Sequence, residues 1–219
     1  MEITIKNGEE LEKLLDELGK DIFAAMDYHL LYCNIATETK QYVEVFDQSN
    51  TFWNLTLNAL HDAKILRLCR FYDQEKSSLS ILSLLNTIEL NPDYFNKQHF
   101  RDRLKENKFV DSLAQRNRDP LEILKRDIEY VSCDSAVKKL LIWRNCTIAH
   151  RGAKVSLGKI DKLEENPLSA TEIEELLDKG IDIFSRYYRL FRASSYSLKI
   201  AGHDDYKSLL ELANLGLTK

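Results

Sequence analysis

Glycine and proline are scarce, with seven and three residues in a chain of 219. So few turn-formers exclude an all-β fold, which needs them at every hairpin. No run approaches the roughly 18 to 20 apolar residues of a membrane span, and Met1 to Glu10 lacks the basic flank and apolar stretch of a signal peptide. Cys33, Cys69, Cys133 and Cys146 lie far apart without a C-x-x-C pair. Three of them fall inside helical patterns, which favours reduced thiols in the cytosol over a disulfide or zinc framework. There is no G-x-G-x-x-G, no phosphate-binding G-K-[ST], no H-E-x-x-H and no G-x-S-x-G, which removes the common nucleotide, zinc-protease and hydrolase sites. The expectation is a cytoplasmic chain with no membrane contact, no metal and no cofactor.

What is abundant is Leu, Lys, Glu, Ala and Asp, a balance that helices satisfy most cheaply. Asn7 with Glu10 reads as a helix start, with periodicity to about Asp47 and an interruption near Gly19. A second helix opens at Ser49-Asn50-Thr51 and runs through Asp73. A polar connection from Gln74 to Ser78 leads to a short helix ending near Leu90. Asn91-Pro92 and Asp119-Pro120 each read as a cap followed by proline at the first helical position, with a charged, less regular segment between them. A helix from about Asp134 to His150 follows, then a loop from Gly152 to Pro167 with one short extended piece. Ser169-Ala170-Thr171-Glu172 is a capping box that launches a helix to about Tyr196, and a last helix spans about Asp204 to Leu215. No repeat or linker composition interrupts this order, which predicts one all-α, up-and-down bundle over residues 1–219, extended by short helices at 1–19 and 203–219.

The net charge of −4 is unevenly spread. Residues 97–159 hold 15 basic and 8 acidic side chains, or +7, against 16 basic and 27 acidic elsewhere, or −11. The basic stretch suits either a local polyanion site or a set of solvated helix faces. Within it, Val137, Leu141, Arg144 and Ile148 share one helical stripe at about 100° per residue, so Arg144 occupies a core position. A buried ion pair with a carboxylate such as Asp73 or Asp62 accounts for it, and so does a functional role. His150 lies six residues on, about 9 Å along the axis and roughly 120° around it. One straight helix does not bring the two together. They converge only if the helix ends near His150 or a second copy supplies the missing half.

Arg70 poses the same question. It continues the apolar stripe Leu55, Ala59, Ala63 and Leu66, flanked by Asp62 and Asp73, and Asp73 is placed to pair with it at i, i+3. This is a charged network inside the bundle or a carboxylate set that positions Arg144 or His150. Arg186, Arg189 and Arg192 alternate with Tyr187, Tyr188 and Phe191, a pattern shared by single-strand-binding surfaces and by aromatic cores with a wet basic flank.

Arg144-Asn145-x4-His150 resembles the R-x(4–6)-H signature of the HEPN superfamily. The longer string Arg144-Asn145-Cys146-Thr147-Ile148-Ala149-His150-Arg151 is similar to the RNxxIAHR form of abortive-infection proteins of the AbiU type. Leu68-Cys69-Arg70-Phe71-Tyr72-Asp73, followed by Ser78-Leu79-Ser80-Ile81, resembles the RLYD helix of that group. Gly152 stands where tyrosine-regulated HEPN toxins carry the modified tyrosine, and the likeness leaves out 1–19 and the tail after Gly202. It implies a homodimer whose motifs face one another and an RNA substrate cut without metal by attack of the ribose 2′-OH. His150 would then be the general acid or base, Arg144 would stabilise the transition-state charge and Asn145 would orient. Arg70, Asp73, Thr147 and Arg151 would support these three. A toxin–antitoxin setting further implies an antitoxin or regulatory partner. A non-catalytic HEPN-like binding or regulatory module remains the alternative.

Overall fold

The computed structural model describes residues 3–116, 121–148, 162–194 and 202–217. Every regular element among them is helical: α1 Gly8–Glu38, α2 Val43–Gln48, α3 Asn50–Phe71, α4 Ile81–Leu90, α5 Lys97–Arg103, α6 Val110–Arg116, α7 Leu121–Cys133, α8 Ser135–Trp143, α9 Lys162–Glu165, α10 Ala170–Arg192 and α11 Tyr206–Leu217. A 3-10 turn, Pro92–Phe95, precedes α5, and a π-helical turn, Arg144–Ile148, continues α8. The all-α bundle expected from composition is what the chain forms. None of the described helices is long and apolar enough to cross a membrane.

The chain divides into two compact units. One comprises Met1–Ile22 and Leu68–Tyr196, the other Phe23–Arg67 and Ser197–Lys219. In the first, α10 is the central element, with Leu176, Leu177, Ile183, Phe184, Tyr187 and Phe191 buried along it. Its start is the expected capping box, in which the Ser169 hydroxyl accepts from Glu172 N and the Glu172 carboxylate accepts from Ser169 N. Gly180 lets neighbours close on the helix. A Cβ there would lie 3.0 Å from Ile22, Phe71 and the Tyr72 hydroxyl. That hydroxyl donates to the Leu176 carbonyl at 2.8 Å, tying the end of α3 to α10. In the second unit, Ile35, Val45, Phe46, Trp53 and Leu210 form the core, with the Phe46 and Trp53 rings 4.6 Å apart.

Several local expectations are corrected. α1 runs unbroken through Gly19 and stops at Glu38, because a buried position inside an amphipathic helix tolerates glycine at a cost of about 1 kcal/mol. Asn91 stands at the N-cap position of the 3-10 turn with Pro92 first in it, as expected, but its side chain does not cap that turn: its amide donates to the Thr87 carbonyl at the end of α4. The charged segment after it holds α5, capped by Asn96 through His99 N, and α6. The region read as loop contains the helical turn α9. α10 stops at Arg192, where Ala193 turns left-handed at φ 54°. The stripe of Leu55, Ala59 and Leu66 on α3 faces out, Leu55 being 64% exposed, while Trp53, Ile65, Leu68 and Cys69 are buried. Asp119-Pro120 and residues 149–161 lie outside the described residues.

Candidate functional site

The site is built where α3 ends and α8 ends. Asp134 starts α8 by accepting from Ala136 N and Val137 N, and Ala136, Val137 and Leu140 bury one side of it. Val137 is buried as expected, while Leu141 is only half-buried and Leu140 takes the core position instead. The Trp143 indole donates to the Asn166 carbonyl at 3.0 Å and fixes the end of the helix. Arg144 then shares its N–H between the Leu140 and Leu141 carbonyls, where the helix widens into the π turn. Such turns concentrate at functional sites because they re-aim consecutive side chains.

The guanidinium of Arg144 is held on two sides. Nη1 donates to Asp73 Oδ1 at 2.5 Å, and Nε donates to Asn145 Oδ1 at 3.1 Å. The side chains of Arg144 and Asp73 are 21% and 17% exposed, sheltered yet reachable from solvent. Of the two carboxylates considered from sequence, Asp73 is the partner, while Asp62 is exposed next to His61.

Asp73 is itself positioned by a local turn. Its Oδ1 accepts from Glu75 N at 3.0 Å, and the Ser78 side chain also bonds the carboxylate. Burial alone would raise its pKa. The Glu75 N–H, the Arg144 guanidinium and the Ser78 hydroxyl outweigh that and hold the carboxyl below its usual range. Ser78 and the Glu75 amide were missed as positioning groups, although Asp at i with a free N–H at i+2 is the signature of an Asx turn. Cys69 lies buried beneath the pair. Burial pushes its thiol up to about 12, with Arg144 lowering it and Asp73 raising it, so it is no nucleophile.

The other named residues separate. Arg70 does not pair with Asp73. It is 58% exposed and reaches Asp21 at 3.5 Å instead, because Asp73 turns toward α8. Asn145 is exposed and Cys146 half-buried. The backbone of Thr147 belongs to the π turn, and His150 and Arg151 lie outside the described residues.

The basic–aromatic pattern on α10 is buried aromatic rings with two paired arginines, while Arg189 is exposed. Tyr187 and Phe191 are buried, Arg186 pairs with buried Asp127, and Arg192 pairs with Glu12 at 2.5 Å and Asp16 at 3.0 Å. Among the described residues no group of three His, Cys, Asp or Glu is placed to hold a metal ion.

Comparison with known families matches HEPN_AbiU2, described as AbiU2, over residues 8–212. Neither a curated protein nor a solved structure gives a match. The match takes in most of both ends that the resemblance left out, so 8–19 and 203–212 are part of the family's pattern. A π turn that places an arginine and an asparagine side by side, an aspartate from a preceding helix on that arginine, and a family match across nearly the whole all-α chain lead to one conclusion: the chain belongs to the AbiU2 family of HEPN proteins.

Proposed function

We propose that this chain is a metal-independent endoribonuclease that acts as a homodimer, an effector of abortive infection or of a toxin–antitoxin system. The observation that carries the reading is the fixed guanidinium of Arg144, oriented by Asp73 and Asn145 at a helix end inside its family's R-x(4–6)-H signature. A guanidinium carries five N–H donors, and Asp73 and Asn145 each accept from one of them. In the reaction the ribose 2′-OH attacks the adjacent phosphate and the 5′-oxygen leaves. Arg144 stabilises the charge gathering on phosphorus, Asn145 orients substrate, and His150 moves the proton, its ordinary pKa of about 6.5 suiting either role. Asp73 holds Arg144, and the motif assigns Thr147 and Arg151 to the support of these groups.

The test is single-stranded RNA incubated with purified protein in EDTA at neutral pH. Products should end in a 2′,3′-cyclic phosphate, and DNA of the same sequence should stay intact. His150→Ala should cut about 10²–10⁴-fold more slowly, and Asn145→Ala should keep more activity than that. Cleavage that disappears in EDTA and returns with magnesium overturns the mechanism. A second reading, a non-catalytic HEPN module that binds or regulates, is favoured by the Asp73–Arg144 ion pair, which also suits a purely structural arginine. It is the outcome if RNA of every kind remains uncut.

A further inference from the structure

Three consecutive side chains just past α3 each bond a different helix. The buried Tyr72 hydroxyl donates to the Leu176 carbonyl of α10 at 2.8 Å. The Asp73 carboxylate accepts from Arg144 at the end of α8. The Gln74 amide donates to the Val131 carbonyl of α7 at 3.1 Å. Val131 stands in the last turn of α7, where carbonyls run out of N–H partners inside the helix and an outside donor is of use. A single residue, Asp134, separates the end of α7 at Cys133 from the start of α8 at Ser135. Gln74 therefore grips the corner from which α8 departs, and Asp73 grips the arginine at its far end. α8 has nine residues, or about 13 Å, so two adjacent side chains brace both of its ends.

We propose that Gln74 is a positioning residue for Arg144, acting through Asp73. The proposal rests on the ribonuclease reading above and adds to it a residue outside the R-x(4–6)-H signature. The direction of the guanidinium follows that of its carboxylate, and the chain that carries Asp73 is pinned on both sides, by Tyr72 to α10 and by Gln74 to α7. Such aim matters, because a group that stabilises charge at phosphorus works only when held to within about 0.5 Å. A misplacement of about 1 Å costs up to about 10²-fold in rate. The Glu75 N–H and the Ser78 hydroxyl keep the local turn of Asp73 whatever stands at position 74. What Gln74 adds is the register of that turn against α7 and α8. Its side chain is exposed, so its hydrogen bond counts for little in stability and its removal separates the aim of the arginine from the fold. The Val131 carbonyl only accepts, so position 74 needs a donor. Lysine supplies one at similar reach, ionised glutamate has nearly the shape of glutamine without a donor, and leucine has none.

Steady-state cleavage of single-stranded RNA in EDTA and NMR of the Arg144 Nε–H, both on the full chain, test it together. Gln74→Glu and Gln74→Leu should lower kcat about tenfold at an unchanged KM, since the arginine acts on transition-state charge while the rest of substrate binding is kept. Gln74→Lys should recover about half of the parent's kcat or more, because the donor is restored. In the glutamate and leucine variants the Nε–H, which donates to Asn145, should shift and exchange faster with water, at the parent's thermal midpoint. If both of these variants cut at the parent's rate, or the lysine variant is as slow as the leucine one, the proposal is overturned and the ribonuclease reading stands. A slower rate that follows a lowered thermal midpoint, with the Nε–H signal in place, is an effect on the fold and overturns it as well. A parent that cuts no RNA overturns the ribonuclease reading instead, and the Nε–H signal alone then decides whether Gln74 aims Arg144.

Discussion

Asp73 accepts from Glu75 N, from Arg144 and from Ser78 within one small, mostly sheltered volume. Asp73→Asn keeps the shape but removes the charge facing Arg144. We expect a loss of about 1–3 kcal/mol, less than for a fully buried pair because both side chains retain some contact with water. Chemical denaturation of parent and variant at pH 7 measures it. The pH dependence has a definite sign. A carboxyl whose folded pKa is depressed contributes stability that is present above its ordinary value of 3.8 and lost as pH falls through the lower folded value. The gap between parent and Asp73→Asn should therefore be widest at neutral pH and shrink below about pH 4. A gap of constant width from pH 7 to pH 3 would mean the carboxylate charge does not matter. Arg144→Lys should lose part of the same stability, because a lysine cannot reach Asp73 and Asn145 at once with a planar fork.

Elements were readable from the sequence where one signal dominated. The Ser169 capping box, the Asp134 cap and the Asn50 start all stand within a residue or two of where spacing put them. α3 shows where the reading stops. Its existence was plain, but it carries apolar residues on two opposite sides, and periodicity alone does not say which side meets the core. The stripe of Leu55, Ala59 and Leu66 fitted the helical period as well as that of Trp53, Ile65 and Leu68, and the second is the buried one. Arg70 faces outward for the same reason. At α8 the partner of Arg144 was within reach of sequence reasoning because a core-phase arginine demands a carboxylate. The π turn was not, since it depends on how the helix end is held by Trp143 and Asn166. Close packing around Gly180 was equally invisible. We expect Gly180→Ala to destabilise by about 1–3 kcal/mol despite alanine's better helix propensity, because the added carbon meets Ile22, Phe71 and Tyr72 together at 3.0 Å. A thermal midpoint equal to or above the parent's would show that these neighbours give way.

At the scale of the whole molecule, the division into two compact units left no mark in composition, because two of its three boundaries fall inside the continuous helices α1 and α3 rather than in a linker. The local excess of positive charge over residues 97–159 was legible, and so was the reason for expecting a pair of chains: Arg144 and His150, six residues apart on a straight helix, point about 120° away from one another. If two copies jointly complete each site, the arginine of one chain works with the histidine of the other. Two inactive variants should then complement. Arg144→Ala and His150→Ala, each silent alone against single-stranded RNA, should regain cleavage when unfolded and refolded together, since in the mixed dimer one site combines an intact Arg144 with the partner's His150. Random mixing makes half of the dimers hybrid, with one competent site in each, so the recovered rate should approach a quarter of the parent's. A mixture as inactive as its components, in which mass spectrometry finds the hybrid dimer, would place both groups of each site on one chain.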